Sequence, residues 1–206
     1  MVQNNVTIAE DGTIAGEVKK LKSGYAALQF RYALGKAGDE NKFIEEMETD
    51  NEGMTIDSHE FENLNDIYKV IKEKYEVAIE NKMDMTDELI YLNPMLYEGI
   101  TENPFKLDKR EYPVDFAIPI DDTYMFQVKI PEGYVIESMP QKGMVTLPEK
   151  ACVYTYTATK TGDKITVTSR FKITKTIYTE AEYEYLKEFY DFMIQKHGEQ
   201  IVLKKG

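Results

Sequence analysis

Alternating apolar and polar residues open the chain and predict a β-hairpin. Val6 and Ile8 alternate with polar neighbours before the turn dipeptide Asp11-Gly12. Ile14 and Val18 continue the alternation beyond that turn. Two short alternating runs separated by Asp-Gly are a strong local indication of a hairpin.

Two helical segments are predicted after the hairpin. Ser23 has the residue type of an N-cap and precedes an apolar-rich run that Gly35 and Gly38 interrupt. Asp39 is the predicted N-cap of a second helix, and Gly53 is placed to terminate it. The pattern therefore predicts a broken helical region between two β-rich parts of the chain.

From residue 54 onward the period of the apolar positions changes towards two, which predicts strands. Turn-forming Pro, Gly, Asn and Asp residues separate these runs. Many short strands with frequent turns favour an antiparallel sandwich or meander over a parallel α/β sheet. The predicted strands are residues 54–61, 72–80, 89–92, 114–118, 124–130, 134–136, 152–158 and 165–173.

A long C-terminal helix is the clearest single element. Thr179 and Glu182 form a T-x-x-E capping box, and apolar residues then recur at helical spacing until His197-Gly198. The tail Ile201-Val202-Leu203 is predicted to add a final edge strand, with Lys204-Lys205 protecting that edge.

The patterns together predict an α+β fold that is mainly β. It is an antiparallel β-sandwich with an N-terminal hairpin plus helices and a long C-terminal helix. Residues 1–53, the hairpin and helical segment, are predicted to pack on a main domain formed by residues 54–206.

Composition narrows the function. The 206 residues include 25 Lys and Arg against 37 Asp and Glu, for a net charge of -12, which argues against nucleic-acid binding. No apolar run approaches the ~20 residues of a membrane span, so no membrane insertion is expected. Residues 1–5 lack the pattern of a signal peptide, so the chain is either cytoplasmic or part of a longer exported protein.

Cys152 is the only candidate thiol nucleophile. A reactive thiolate needs a helix N-terminus or a nearby histidine to lower its pKa, but Cys152 lies within an alternating strand. Tyr154 and Tyr156 share its face. We therefore predict a small buried hydrophobic residue and no catalytic residue.

No metal or cofactor site is predicted. The only histidines are His59, predicted to be exposed, and His197, predicted to complement the dipole at a helix C-terminus as a cation. Neither has the spacing of a zinc motif. An acidic cluster lacks the glycine position of an EF-hand loop and is interpreted as a solvated helix face. The cluster consists of Glu45, Glu46, Glu48, Asp50, Asn51 and Glu52.

A set of turns and core positions recurs along essentially the whole chain. They are Glu10 to Gly16, Ser23 to Leu28, Arg31, Asn103 to Lys106, Arg110, Tyr112 to Phe116, Ile130 to Tyr134, Pro140, Glu182-Tyr183, Leu186-Lys187, Phe189 and Gln200 to Lys205. These motifs together resemble the C-terminal region of multi-domain transglutaminase-like proteins from Gram-negative gut bacteria.

The resemblance implies a mostly β accessory region of unknown function, located in the periplasm, the cell envelope or outside the cell. In that family a papain-like core carries the Cys-His-Asp triad, and Cys152 does not match its nucleophile, which opens a helix. No catalytic residue is carried over. The resemblance therefore predicts a non-catalytic module whose partner is the upstream transglutaminase-like domain of a parent protein.

Two other functions stay open from the residues alone. An independent glycan- or peptide-binding module would present a strip of exposed tyrosines on one sheet. A hydrolase would need two carboxylates facing each other across a cleft, at about 5–10 Å.

Overall fold

The computed structural model describes all 206 residues and contains fourteen strands and three α-helices. The first half contains β1 (Val2–Ile8), β2 (Ile14–Lys22), α1 (Gly24–Ala37), α2 (Glu40–Asp50), β3 (Met54–Glu62), β4 (Ile71–Ile79), β5 (Met83–Met85) and β6 (Leu89–Leu92). The second half contains β7 (Val114–Asp115), β8 (Ile120–Lys129), β9 (Tyr134–Ser138), β10 (Gly143–Thr146), β11 (Cys152–Thr161), β12 (Lys164–Ile173), β13 (Ile177–Tyr178), α3 (Tyr183–His197) and β14 (Ile201–Lys205).

The strands form one large sheet and two smaller ones. Eight strands make the large sheet in the order β10-β11-β12-β8-β1-β2-β4-β3. Four make a second sheet in the order β5-β6-β14-β9, and β7 pairs with β13. The fold class is therefore α+β and mainly β, as predicted. The sheets are not wholly antiparallel, because β1 runs parallel to β8.

The predicted N-terminal hairpin lies at the centre of the large sheet. β1 pairs with β2 on one side and with β8 on the other, where Val2 is opposite Tyr124 and Val6 is opposite Val128. Val6 and Val128 are both buried, so this register brings apolar residues onto one face. The hairpin therefore joins the two halves of the chain in one sheet.

Helices cover both halves of this buried face. Ile44 of α2 belongs to the same cluster of buried hydrophobic residues as Tyr75 and Val77 of β4. At the other end of the sheet, Tyr154 of β11 packs edge-on against Phe192 of α3. That cluster contains 31 buried residues and includes residues of β6 and β14, so the large sheet, the second sheet and α3 share one core.

The helical region departs from the prediction at one glycine. α1 continues through Gly35 to Ala37 and ends at Gly38, whose φ of 95° is in the region that favours glycine. The prediction that Gly35 interrupts the helix is wrong, because the buried side chains of Phe30 and Ala37 hold both sides of it. The Asp39 cap is confirmed, since its side chain accepts the Lys42 N–H at 2.9 Å.

Two strand predictions need correction. The strand predicted over residues 114–118 is only Val114–Asp115, because the Asp115 carboxylate accepts the Ala117 N–H and turns the chain. The tail strand β14 lies between β6 and β9 and not at an edge, because residues 134–138 pair with its second side. The predicted role of Lys204 and Lys205 as edge guards is therefore wrong.

The C-terminal helix begins as its capping box predicts. Glu182 accepts the Thr179 N–H at 2.9 Å and its hydroxyl at 3.0 Å, at a 3-10 turn that leads into α3. The boundary predicted after residue 53 lies in the turn between α2 and β3, and residues 1–53 contribute two strands to the large sheet. None of the three helices is both long and apolar enough to cross a membrane.

Candidate functional site

The thiol of Cys152 lies inside the hydrophobic core. Cys152, Tyr154 and Tyr156 each have no exposed surface, as the alternation along β11 predicted. The Tyr178 hydroxyl is 3.5 Å from the sulfur and also donates to the Ala151 carbonyl at 3.0 Å. Burial raises the pKa of the Cys152 thiol, which disfavours the nucleophilic thiolate. The prediction that Cys152 is buried is confirmed.

This burial predicts a thiol that reacts only when the protein opens. We expect a disulfide reagent to label native Cys152 at least about 1000-fold more slowly than the same thiol in denaturant, because the reagent has no path to the sulfur. A Thr157→Cys variant is the matched control, since residue 157 is exposed on the same strand. It should label one thiol rapidly and leave Cys152 unlabelled. Fast labelling of the native wild-type protein would contradict the assigned environment.

A second cluster joins β11 and β12 to the end of α3 and to the loop at Ile100, with His197 at its centre. The His197 Nε2 atom is 3.1 Å from the Ser169 hydroxyl of β12, and that hydroxyl is 3.3 Å from the hydroxyl of Tyr154. The other ring nitrogen, Nδ1, accepts the backbone N–H of Ile100 at 3.0 Å. Ser169 and His197 are both buried. A serine beside a histidine is a pair that nucleophilic catalysis can use. Whether Ser169 could react therefore depends on which ring nitrogen of His197 carries the proton.

The hydrogen bonds make this pair unsuitable for catalysis. An amide N–H can only donate, so Nδ1 of His197 carries no proton and Nε2 carries the proton instead. Nε2 therefore donates to Ser169 and cannot accept its proton, which is the reverse of what a general base must do. Burial lowers the pKa of His197 to about 4, so the ring is neutral at pH 7. The prediction of a cationic C-terminal cap at His197 is wrong.

A cavity of about 260 Å³ reaches Ser169 and His197 from the surface. Glu98 and Asp122 contribute to its walls, together with apolar side chains that include Phe171. The Glu98 carboxylate forms a salt bridge with Lys20, whose Nζ lies 2.9 Å from Oε1. The cavity thus combines acidic and apolar walls with two polar groups that are already hydrogen-bonded to each other, and it offers no free nucleophile.

An ion pair between a partly exposed lysine and a buried carboxylate lies on the same face of the sheet, nearer to α1. Nζ of Lys22 is 2.6 Å from one carboxylate oxygen of Glu73, and the Tyr75 hydroxyl donates to the other at 2.7 Å. The Lys22 ammonium also lies 4.3 Å from the centre of the Phe30 ring. Burial raises the pKa of Tyr75 and lowers the pKa of Lys22. A buried carboxylate that is paired in this way is held by its partners and fastens β2 to β4.

The remaining candidates have ordinary structural roles. His59 is half-buried and packs beside Phe61, so the prediction of an exposed ring is wrong. In the acidic cluster, the Glu48 carboxylate accepts the Ile56 N–H at 2.6 Å, which ties α2 to β3. No group of three or more His, Cys, Asp or Glu side chains is arranged to hold a metal ion.

The exposed tyrosines do not form a strip on a sheet. The tyrosines of the large sheet are buried in its core face. The exposed ones lie on helices and loops and none lies on a strand, which gives no sheet surface for a glycan or peptide. The exposed tyrosines are Tyr25, Tyr32, Tyr68, Tyr112 and Tyr185.

Sequence comparison identifies the C-terminal part of the chain. A family model described as a domain of unknown function with a solved structure, DUF3858, matches residues 88–203. The chain belongs to the DUF3858 family. The matched residues contain Cys152, Ser169 and His197, whereas β1 to β5, α1 and α2 precede them. No curated protein matches the sequence.

One solved structure is similar to the DUF3858 chain. It is described as a "putative protease" from Parabacteroides distasonis, with 19% sequence identity and a TM-score of 0.47. The similarity covers 58% of this chain and 24% of that one, so the chain corresponds to about a quarter of the length of the Parabacteroides protein.

Sequence reasoning missed both buried polar clusters of this DUF3858 chain. Ser169 occupies an apolar position of the β12 alternation, and Glu73 likewise lies on the apolar face of β4. A polar residue on a predicted core face signals a buried partner. The hydrogen-bonding and ion-pair partners of these two residues come from elements distant in sequence, so the alternation pattern alone does not identify them.

Proposed function

We propose that this DUF3858 chain is a non-catalytic accessory module of a larger transglutaminase-like protein in the cell envelope or outside the cell. In that arrangement it packs against the papain-like domain or presents substrates to it. The proposal is carried by one observation: the only thiol in the chain is fully buried beneath Tyr178. The catalytic chemistry of the resembled family therefore has no counterpart among these residues.

The alternative nucleophile is also disfavoured. Ser169 is the one hydroxyl that contacts a histidine, and the Ile100 N–H fixes that histidine as a donor towards it. Activating Ser169 would require breaking this hydrogen bond and moving the ring proton to Nδ1, against the amide. Both candidate nucleophiles therefore contribute to packing, which supports a module that binds and does not react.

Turnover assays test the non-catalytic part of this proposal. The isolated chain, incubated with glutamine-containing peptides and a primary amine, is expected to give neither amide cross-links nor peptide hydrolysis. An active transglutaminase in parallel provides the positive control. Activity that disappears in Cys152→Ala or Ser169→Ala, with the variant still folded by circular dichroism, would show that the chain is an enzyme.

The parent architecture is tested separately by the reading frame. We expect the gene to encode, upstream of these residues, a domain whose nucleophilic cysteine opens a helix. A fusion of that domain with this chain should then show a lower KM for protein substrates than the domain alone, or a higher unfolding temperature. A complete reading frame without such a domain would overturn the proposed partner.

A further inference from the structure

Two methionine side chains converge over the turn of the N-terminal hairpin. Met83 and Met85 lie two residues apart on β5, so their side chains leave the same face of that strand. A Cβ atom built on Gly12 would be 3.1 Å from Sδ of Met85 and 3.4 Å from Cε of Met83. Both thioether groups therefore lie next to one point, which glycine leaves free of side-chain atoms.

The two thioethers line an open cavity of about 340 Å³ between the hairpin turn and the start of β5. The other side chains of the cavity belong to Asp11, Thr13, Glu80 and Asn81. All four carry oxygen atoms, and none is cationic. Met85 keeps 38% of its surface exposed, so a dissolved ion has access to its side chain.

The carboxylates of this cavity are not neutralised within the chain. Neither Asp11 nor Glu80 forms a salt bridge. The Asp11 carboxylate accepts the Thr13 backbone N–H at 2.9 Å, and this hydrogen bond lowers the pKa of Asp11 below its ordinary value. Asp11 is therefore ionised at neutral pH, and the cavity favours a cation.

The donor atoms indicate which class of cation fits. Thioether sulfur is a soft ligand that selects Cu(I), whereas Mg²⁺ and Ca²⁺ prefer sites built from oxygen alone. No group of three His, Cys, Asp or Glu side chains is arranged to hold a metal ion, so a site of the harder kind is missing. Two sulfurs beside two carboxylates match a soft monovalent cation instead.

We propose that Met83 and Met85 bind one Cu(I) ion through their sulfur atoms, with Asp11 and Glu80 attracting the ion by their charge. Binding changes no oxidation state and breaks no bond. The site goes beyond the proposed function, because it requires neither the parent protein nor its substrates. Ag(I) has the same charge and the same preference for sulfur as Cu(I), and it is stable in air, so it serves as the probe.

Methionine methyl NMR with silver(I) nitrate tests the site residue by residue. In chloride-free buffer, the methyl signals of Met83 and Met85 are expected to shift together and to saturate with one Ag(I) per chain. Two linked thioethers should bind at least about 10-fold more tightly than one. Met144 on β10 is more exposed, by 64%, and is the internal control. If Met144 shifts at the same concentration, silver binds any accessible thioether and the proposal is overturned.

Single substitutions separate metal binding from packing. Met83→Leu and Met85→Leu preserve apolar volume, so the chain should stay folded. Each should weaken Ag(I) binding by at least about 10-fold, followed at the methionine that remains. Met144→Leu is the matched control and should leave the affinity unchanged. An affinity that survives either substitution on β5 would contradict a site that uses both sulfurs.

The contribution of charge is tested by Asp11→Asn. This variant keeps an oxygen that can accept the Thr13 N–H, but it removes the negative charge. We expect Ag(I) binding to weaken by about 3-fold at low ionic strength and by less at high salt. An unchanged affinity at low salt would show that Asp11 does not attract the ion.

Zn(II) tests the class of metal. Zinc binds thiolate, imidazole and carboxylate groups, so it should move neither the Met83 nor the Met85 methyl signal at the concentration that saturates the site with Ag(I). Equal shifts with Zn(II) would point to binding by the carboxylates alone and would overturn the thioether site.

Discussion

Gly16→Ala is expected to lower the free energy of unfolding by roughly 3 kcal/mol or more. Gly16 lies on β2 opposite Val6, at a φ of 154°. A Cβ atom built there would be 2.3 Å from the carbonyl oxygen of Asn5 and 2.8 Å from Cα of Val6. Both obstacles are backbone atoms of the central strand, so no side chain can rotate away. Either the pair β1–β2 separates locally or the sheet shifts.

Urea denaturation followed by circular dichroism measures this loss at dilute protein. Gly24→Ala is the matched control, because Gly24 also has a positive φ, 53°, but no atom lies within 4 Å of its added Cβ. That control should lose about 1 kcal/mol, the cost of the backbone conformation alone. If the two variants lose the same amount, the close approach of β1 and β2 does not constrain residue 16.

The stability of the wild-type protein is expected to fall by about 3 kcal/mol between pH 6.5 and pH 4 through His197 alone. Burial lowers the pKa of His197 to about 4 in the folded state, from its ordinary value of 6.5. Above pH 6.5 the ring is neutral in both states, and its contribution to stability is complete. As the pH falls below 6.5, the His197 ring binds a proton in the unfolded chain but not in the folded chain. The free energy of unfolding therefore declines until the ring of the folded chain is also protonated.

A non-titrating variant separates this effect from that of the many carboxylates. His197→Gln is expected to be less stable than wild type at pH 7, because the packing and hydrogen bonds of the ring are altered. Its loss of stability from pH 6.5 to pH 4 should be smaller than that of wild type by the same 3 kcal/mol. Ser169→Ala keeps the imidazole and should keep the pH dependence. Parallel curves for wild type and His197→Gln would place the titration elsewhere.

The local features of the fold could be predicted from the sequence. Alternation along residues 152–158 identified the buried face of β11, and with it the environment of Cys152. The Thr179 and Glu182 capping box located the start of the C-terminal helix region. These features depend on residues within one strand or one turn, where the periods of two and 3.6 are directly visible.

The features that could not be predicted depend on pairings between distant segments. Nothing near Val2 indicates β8 as its parallel neighbour, and nothing near Ile201 shows that residues 134–138 close its second side. The helix continues through Gly35 because packing on both sides outweighs a propensity cost of about 1 kcal/mol. The Ser169–His197 pair joins a strand to a helix end 28 residues later, so the sequence around either residue does not indicate its partner.

The position of β1 between β2 and β8 has a consequence for the order of folding. Val2 and its neighbour Tyr124 are separated by about 120 residues, one of the longest-range strand pairings in the chain. During synthesis at roughly 5–20 residues per second, the free side of β1 waits roughly 6–24 s for β8 to be made. The nascent hairpin therefore has an unpaired backbone edge in that interval, and the ribosome or a chaperone must keep it from pairing with other chains.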